Sequence, residues 1–96
     1  MFEILVIYTA NSKDARDSFV SEMISSGVLD AIRNENGCLK YEYNYSYDNE
    51  CSILLYEAWE NAYCQKAHMT TDHMKTASEI KQKYISSVSL KRLSEF

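Results

Sequence analysis

The chain has 96 residues, 46% of them hydrophobic, and a formal net charge of -4 at pH 7. This length predicts one small domain covering residues 1–96, and a fold of this size buries only roughly 60–65% of its unfolded surface. The acidic balance, without a basic stripe, excludes a typical nucleic-acid partner. Because no apolar run approaches the roughly 20 residues of a membrane-spanning helix and the first residues lack signal-peptide features, we expect a cytoplasmic protein without a membrane partner.

The first two predicted elements are a strand and a long helix. Residues 2–9 are apolar on both alternations, which predicts a strand that is covered on both faces. Asn11 is suited to cap the following helix, whose apolar residues recur at helical spacing as far as Ile32. Gly27 weakens the middle of this helix by up to about 1 kcal/mol relative to alanine, so we expect a break or kink there.

A β-hairpin is predicted after the helix. The segment NENG ends the helix, and its glycine can take the positive φ that opens the next strand. Tyrosines then recur on one alternation, at Tyr41, Tyr43, Tyr45 and Tyr47. A two-residue turn at Asp48-Asn49 places Tyr41 opposite Tyr56, with Glu57 and Trp59 on the other face of the hairpin.

The remaining elements complete a recognisable order. Residues 60–69 form a short helix, and Thr70 or Thr71 caps a second one. The apolar face of that helix comprises Met74, Ala77, Ile80 and Tyr84. With a last strand at 88–93, the order β-α-β-β-α-β predicts an α+β fold, the ferredoxin-like sandwich. Since the helices cover only one face of an apolar sheet, we expect a homodimer that pairs the two open sheet faces.

Metal binding is not expected from the histidines and cysteines. The three cysteines are Cys38, Cys51 and Cys64. They are odd in number and show no CxxC spacing, so we interpret them as free thiols in a reducing compartment. His68 and His73 are five residues apart, which does not give the i, i+4 geometry of two metal-binding imidazoles on one helical face.

Three motifs together resemble those of one family. The segments NGCLKYEY, LLYEAWEN and AHMTTDHMKT are similar to the Gly-Cys-Leu-x-Tyr strand, the Glu-x-Trp strand end and the His-x-x-(Ser/Thr)-x-His junction of the antibiotic biosynthesis monooxygenases. The likeness covers nearly the whole chain and implies a dimeric α/β barrel. The family contains quinol monooxygenases, anthrone oxygenases, haem-degrading enzymes and an autoinducer isomerase, so the motifs indicate the fold more closely than the reaction. The haem-degrading branch is not matched, because His68 stands where those relatives place a tryptophan.

The resemblance to the cofactor-free oxygenases implies a particular chemistry. A quinol- or anthrone-like aromatic loses a proton, and its anion passes an electron to dioxygen without flavin, metal or other cofactor. Such a site needs an apolar cavity, a base and donors for the developing oxyanion. His68 and His73 are the candidate bases, and Glu57, on an inner face beside apolar neighbours, is a candidate for a second proton-transfer role.

Aromatic residues and one arginine are the candidates for substrate binding. They are Tyr41, Tyr43, Tyr56, Trp59 and Arg16. The tyrosines can form a flat-walled cavity with hydroxyl groups that orient an oxygenated ring, and Arg16 can pair with Glu57 or meet an anionic substrate. Each candidate also fits a structural role, such as core packing for Trp59, dimer contact for the tyrosines and local hydrogen bonding at a helix end for His68.

Three functions remain open from the sequence. The first is cofactor-independent oxygenation of a quinol-like aromatic. The second is isomerisation of a small phosphorylated ketone, in which histidine and carboxylate move a proton between adjacent carbons; a basic cluster at the cavity mouth would favour it. The third is a non-catalytic dimeric module that binds a ligand. Fold alone does not decide between them.

Overall fold

The computed structural model describes residues 1–95, which form a four-stranded antiparallel sheet with helices packed on one face. In chain order the elements are β1 (Phe2–Ala10), α1 (Lys13–Ser25), α2 (Val28–Arg33), β2 (Cys38–Tyr45), β3 (Ser52–Trp59), α3 (Ala62–His68), α4 (Asp72–Tyr84) and β4 (Ile85–Glu95). The strands are arranged in the order β2-β3-β1-β4. This arrangement confirms the α+β ferredoxin-like fold, in which two of the helices, α2 and α3, are short additions to the six basic elements.

The long helix expected after β1 is divided at Gly27. The φ angle of Gly27 is +83°, a conformation that glycine adopts readily and that other L-residues disfavour, and it separates α1 from α2. The expected cap of α1 is wrong by one residue. Ser12, not Asn11, occupies the cap position, and its side chain accepts a hydrogen bond of 3.0 Å from the Ala15 amide. Both residue types cap well, and β1 continues to the residue before Asn11, so the turn needs one further residue.

The register of the hairpin differs from the expected one. Cys38 lies opposite Trp59, but an irregularity between Cys38 and Lys40 shifts the pairing beyond it, and Tyr41 lies opposite Glu57 instead of the expected Tyr56. Side chains alternate along a strand, so a shift of one residue moves the tyrosine row to the other face of the sheet. The tyrosine row therefore shares the helix-covered face with Glu57 and Trp59.

Two segments of the sheet also differ in length from their predictions. The loop between β2 and β3 spans residues 46–51 rather than two residues. Side chains stabilise this longer loop, because Ser46 accepts from the Asn49 amide at 3.3 Å and Asn49 accepts from the Cys51 amide at 2.9 Å. The last strand is longer than residues 88–93, because β4 pairs with β1 along nearly the full length of β1.

The hydrophobic core lies between the sheet and the helices. Its fully buried side chains include Phe19, Met23, Ile32, Leu55 and Trp59. The predicted apolar face of α4 is buried at Met74, Ala77 and Ile80 and half-buried at Tyr84. The three cysteines are unpaired.

The other face of the sheet carries no helix within residues 1–95. Its central strands β1 and β3 contribute the half-buried apolar side chains of Leu5, Ile7, Leu54 and Tyr56, whereas the edge strand β2 contributes polar ones. This is the surface expected to pair with a second copy, and the homodimer stays a prediction. No helix in the described chain is long and apolar enough to cross a membrane.

Candidate active site

A cavity of about 140 Å³ lies between the helical layer and the side of the sheet formed by β1 and β4. Its lining is mostly apolar, with four polar or charged residues and two tyrosines. The lining residues are Ile4, Val6, Tyr8, Tyr41, Glu57, Gln65, His68, Met69, Met74, Lys81, Val88 and Leu90. Val88 and Leu90 are 56% and 62% exposed, so the cavity opens towards β4. Enclosed apolar walls with a few polar groups are typical of a small-molecule site.

His68 is the best-defined polar group in this cavity. It is the last residue of α3 and only 2% exposed, and its ring centroid lies 4.8 Å from that of Trp59 and 5.7 Å from that of Tyr41. Its Nδ1 atom lies 3.0 and 2.9 Å from the two carboxylate oxygens of Glu35. A carboxylate accepts, so Nδ1 carries the proton and donates it in the hydrogen bond, which leaves Nε2 as the proton acceptor.

The protonation state of His68 suits a base at neutral pH. Burial lowers the pKa of His68 below its ordinary value, and the hydrogen bond and negative charge of Glu35 offset part of this shift. The imidazole is therefore neutral at pH 7. A neutral imidazole with a fixed tautomer can take a proton from a bound substrate without first losing one to solvent.

His73 contacts the same carboxylate, at the oxygen Oε2 that His68 also contacts. Its Nε2 atom lies 2.6 Å from Oε2 of Glu35, and its side chain is 26% exposed. The chain leaves α3 after His68 and begins α4 at Asp72, with Thr71 in the cap position. This break brings together two histidines that a continuous helix would hold on different faces. They meet at Glu35 rather than in the cavity, because only His68 lines the cavity.

Glu57 is a buried acid on the opposite wall. It is 4% exposed, and its Oε1 accepts a hydrogen bond of 3.0 Å from the indole Nε1 of Trp59. Burial raises the pKa of Glu57, whereas the Trp59 hydrogen bond and the positive charge of Lys81 act to lower it. The sequence predicted Glu57 on an inner face, and its burial there is confirmed, with Trp59 as its hydrogen-bond partner.

Arg16 does not take part in this cavity. Its guanidinium donates two hydrogen bonds to Asp17, at 3.0 and 2.9 Å, and lies 3.7 Å from the centroid of the Tyr45 ring. The expected pairing with Glu57 is therefore wrong. Arg16 is buried, at 8% exposure, and the acid at the adjacent position and the aromatic ring near the end of β2 hold its guanidinium away from the cavity.

The tyrosines divide between the two faces of the sheet. Tyr41 lines the cavity, and burial raises its pKa, so its hydroxyl stays protonated and able to donate. Tyr43 packs between Phe19 and Tyr41, at centroid distances of 5.9 and 6.0 Å, and does not line the cavity. Tyr56 lies on the opposite face, where its hydroxyl donates to Glu3. The shifted hairpin register explains why Tyr56 and Tyr41 do not meet.

Four polar or aromatic residues that line or support the cavity were not singled out from the sequence, namely Glu35, Tyr8, Gln65 and Lys81. Glu35 lies in the loop before β2, two residues before a glycine, a place where loop acids are common and usually exposed. Tyr8 reads as an ordinary strand residue. Lys81 could have been found from the sequence, because it lies seven residues after Met74 and places a charge on the otherwise apolar face of the helix. Within residues 1–95, no set of three or more His, Cys, Asp or Glu side chains is arranged to hold a metal ion.

Comparison with known proteins places the chain among its relatives. The family model described as antibiotic biosynthesis monooxygenase matches residues 4–80. The fold is similar to a candidate antibiotic biosynthesis monooxygenase from Nitrosomonas europaea, with a TM-score of 0.83, 18% identity and coverage of 98% of this chain and 97% of that one. It is also similar to a candidate member from Deinococcus radiodurans, with a TM-score of 0.84, 16% identity and coverage of 100% and 93%.

A third similar structure is a conserved protein of unknown function from Bacteroides thetaiotaomicron, described as a possible oxidoreductase. Its TM-score is 0.79 and its identity 22%, and the match covers 99% of this chain and 96% of that one. No match is found among curated proteins. Identities of this size show a shared fold, whereas the family model matches most of the chain, including the three motifs. The chain belongs to the antibiotic biosynthesis monooxygenase family, which supports a monooxygenase-like function in general terms.

Proposed function

We propose that the protein is a cofactor-independent monooxygenase that oxidises a quinol- or anthrone-like aromatic with dioxygen. The observation that carries this proposal is a buried, neutral His68 whose Nδ1 is held by Glu35 at the wall of an apolar and aromatic cavity. The carboxylate and histidine of hydrolytic triads are arranged in a similar way, and there the acid fixes the tautomer of the base. Family membership supports the reaction type, and the cavity supports the substrate class.

In the proposed reaction His68 Nε2 removes a proton from the substrate. The resulting phenolate or enolate gives one electron to dioxygen, and the two radicals combine at carbon to form a peroxide anion. This anion takes back the proton held by His68 and becomes a hydroperoxide, which returns the imidazole to its neutral form. For an anthrone, loss of water from this hydroperoxide turns the CH₂ carbon into a carbonyl, so one oxygen atom enters the product and the other leaves as water. The substrate supplies all the electrons, and the protein supplies only the base, the donors and a site that excludes water.

The donors in this scheme are hydroxyl and amide groups of the cavity wall. Burial raises the pKa of both Tyr8 and Tyr41, so each hydroxyl remains protonated while negative charge develops on the substrate oxygen. Gln65 on α3 adds an amide to the same lining. Glu57 then serves as a second proton-transfer group, because its raised pKa suits proton exchange nearer neutrality than an ordinary carboxyl does.

We also propose that the active form is a homodimer in the cytoplasm. A second copy packed on the Leu5, Ile7, Leu54 and Tyr56 face would bury an apolar surface that a small domain otherwise leaves open. Three free thiols fit a reducing compartment. Sedimentation velocity should give the mass of a dimer, and Ile7→Asp should give a monomer, whereas Thr76→Asp on an exposed turn of α4 should not. A monomeric wild-type protein would refute this arrangement.

Oxygen uptake tests the proposed reaction. Purified, metal-stripped protein is supplied with a panel of reduced naphthoquinols and anthrones, beside His68→Ala, His68→Gln and the exposed control Thr76→Ala, each checked for folding by circular dichroism. We expect enzyme-dependent uptake that both His68 variants lose and the control keeps. Uptake that never exceeds autoxidation, in a folded protein, would refute the proposal for these substrates.

Isomerisation of a phosphorylated ketone is the second candidate, because His68 and Glu57 line one cavity and could exchange a proton across it. One feature disfavours it. Lys81 is the single lysine or arginine among the lining residues, whereas a phosphate dianion is commonly held by several cations or amide donors. If oxygen uptake fails, turnover of phosphorylated ketones that depends on His68 would support this isomerase. A ligand-binding module without catalysis remains if the His68 variants change no turnover on either panel.

A further inference from the structure

Lys81 projects into the cavity from α4 without a partner of opposite charge at contact distance. Its Nζ lies 5.3 Å from the centroid of the Tyr8 ring, and its side chain is half-buried. Within residues 1–95, Lys81 makes no salt bridge and no hydrogen bond. Lysine is rarely buried unless it is paired, so a half-buried ammonium without a close acceptor in the chain is available to an anionic group of a ligand.

Lys81 stands where the cavity meets a second, more open groove. The groove has a volume of about 280 Å³ and lies between the last turns of α4 and the first residues of β4. Its lining residues are Ser78, Lys81, Gln82, Ile85, Ser86, Ser87 and Val88. Lys81 and Val88 line both spaces, so the groove continues the cavity past the ammonium group. Four of its seven lining residues carry a hydroxyl or amide group, and no acidic side chain lines it.

Charges around Lys81 are unevenly distributed. Besides Lys81, the acidic and basic residues that line the cavity are Glu57 and His68. The Glu57 carboxyl already accepts a hydrogen bond from Trp59. Burial lowers the pKa of Lys81, and the more distant charge of Glu57 offsets only part of this effect. An anion on the groove side of Lys81 would compensate the ammonium without approaching Glu57 on the opposite wall. The groove hydroxyls of Ser78 and Ser87 could solvate the same anion.

The volumes of the cavity and the groove indicate which part of a substrate each of them would hold. The cavity of about 140 Å³ is smaller than the roughly 300–1,000 Å³ of common ligand sites, so it suits only the reacting ring system. A larger substituent on that ring would extend through the open side, where Lys81 and Val88 line both spaces. Lys81 places a cation at this opening.

We propose that Lys81 binds a carboxylate carried by the aromatic substrate, with the ring in the cavity beside His68 and the carboxylate at the mouth of the groove. This assignment rests on the proposed function, since it names the substrate class of the same site. One ammonium group balances one negative charge, which matches a carboxylate better than a phosphate dianion. The proposal therefore narrows the substrates to acidic, singly charged quinols and anthrones.

Binding of unreactive probes tests this assignment without any turnover. Calorimetric titrations at pH 7 and low salt compare 2-naphthoate with the neutral 2-naphthamide of nearly equal shape, and 2-naphthyl phosphate forms a third arm. For the wild type we expect 2-naphthoate to bind about tenfold more tightly than the amide and at least as tightly as the phosphate, as a charge-assisted hydrogen bond at a partly buried site permits. Lys81→Met and Lys81→Gln should bring 2-naphthoate and amide affinities together.

The matched control is Lys75→Met on the same helix, which removes the same charge from an exposed side chain outside both spaces. It should keep the preference for 2-naphthoate. Equal wild-type affinities for acid and amide, a preference that survives in both Lys81 variants, a clear preference for the phosphate, or no binding of any probe would each overturn the proposal. A Lys81-dependent preference in a protein that consumes no oxygen would uphold it as a binding site and refute only the monooxygenase reaction.

Discussion

Replacing Glu35 by glutamine should disable the proposed base without removing it. The carboxylate of Glu35 accepts from His68 Nδ1 at 2.9 Å and from His73 Nε2 at 2.6 Å. A glutamine of the same shape keeps one carbonyl oxygen and replaces the other by an NH₂ group, which cannot accept. His68 Nδ1 faces both oxygens of Glu35, so in either orientation of the amide it loses one acceptor and meets an NH₂ group instead. His68 is then free to adopt the tautomer with the proton on Nε2.

The size of the effect follows from the two hydrogen bonds. A hydrogen bond to a charged group contributes about 1.5–3 kcal/mol, so the loss of one should lower the free energy of unfolding by about that amount. Loss of the base-orienting carboxylate in comparable pairs reduces turnover by up to about 10⁴-fold. We expect a reduction of about 10- to 1,000-fold here, because His68 is also held by the rings of Trp59 and Tyr41.

The pH dependence gives a second signature with a definite sign. The base acts when neutral, so activity falls as pH drops through the His68 pKa. Glu35 raises this pKa against the effect of burial, and Glu35→Gln removes that contribution. The acidic limb of the rate profile should therefore move to lower pH in the variant while the plateau falls.

Nitrogen-15 NMR of the histidine rings measures the tautomer independently of activity. Wild-type His68 should show a protonated Nδ1 and an unprotonated Nε2 at pH 7, and Glu35→Gln should show a mixture. Glu79→Gln, which removes the same charge from an exposed position on α4, should leave tautomer, stability and rate unchanged. An unaltered His68 tautomer in a folded Glu35→Gln variant would refute the role assigned to Glu35, whatever happens to the rate.

Three further predictions concern stability, each measured by urea unfolding. Gly27→Ala should lower the free energy of unfolding by about 1–2 kcal/mol for its positive φ alone, since an added Cβ meets nothing within 4 Å. Gly37→Ala should lower it by about 1–3 kcal/mol more, because its Cβ would lie 2.4 Å from Cys64 Sγ. Equal losses of stability in the two variants would contradict this reasoning. Trp59→Phe removes the donor to a buried Glu57 carboxyl and should cost at least about 1–3 kcal/mol, a loss that the exposed change Tyr63→Phe should not reproduce. The raised pKa of Glu57 means that the folded state binds more protons than the unfolded state, so this group makes stability fall as pH rises above about 4.5. Glu57→Gln should remove that component, and an unchanged slope would refute it.

The fold was predictable from the sequence because its signals are local. The apolar alternation of β1, the helical spacing interrupted at Gly27 and the stripe on α4 each depend on residues within one element, and each is found as expected. The hairpin register was not predictable in the same way. It depends on an extra residue between Cys38 and Lys40, which has no signature in the sequence, and one such residue reverses the faces of every side chain beyond it.

The candidate site was predictable only in part, for a related reason. His68, Glu57 and Tyr41 line one cavity, although the predicted hairpin register placed Tyr41 and Glu57 on opposite faces of the sheet. Their roles as base, second acid and aromatic wall stay predictions. The residue that orients His68 is 33 positions earlier, in a loop whose path depends on tertiary packing. Arg16 was misplaced because an arginine can satisfy its charge with any nearby acid, and Asp17 is the adjacent residue.

The same small loop links the fold to the chemistry. Gly37 approaches the side chain of Cys64 closely enough to exclude any Cβ, and its carbonyl accepts from the Glu60 amide at 2.9 Å. These contacts fix the loop that carries Glu35 against the start of α3, and His68 lies one helical turn beyond Cys64. The distance between Glu35 and His68 is thus set by a glycine that touches neither. Gly37→Ala should accordingly mix the His68 tautomers as well as reduce stability, whereas an equally destabilising change elsewhere in the core should leave the tautomer intact.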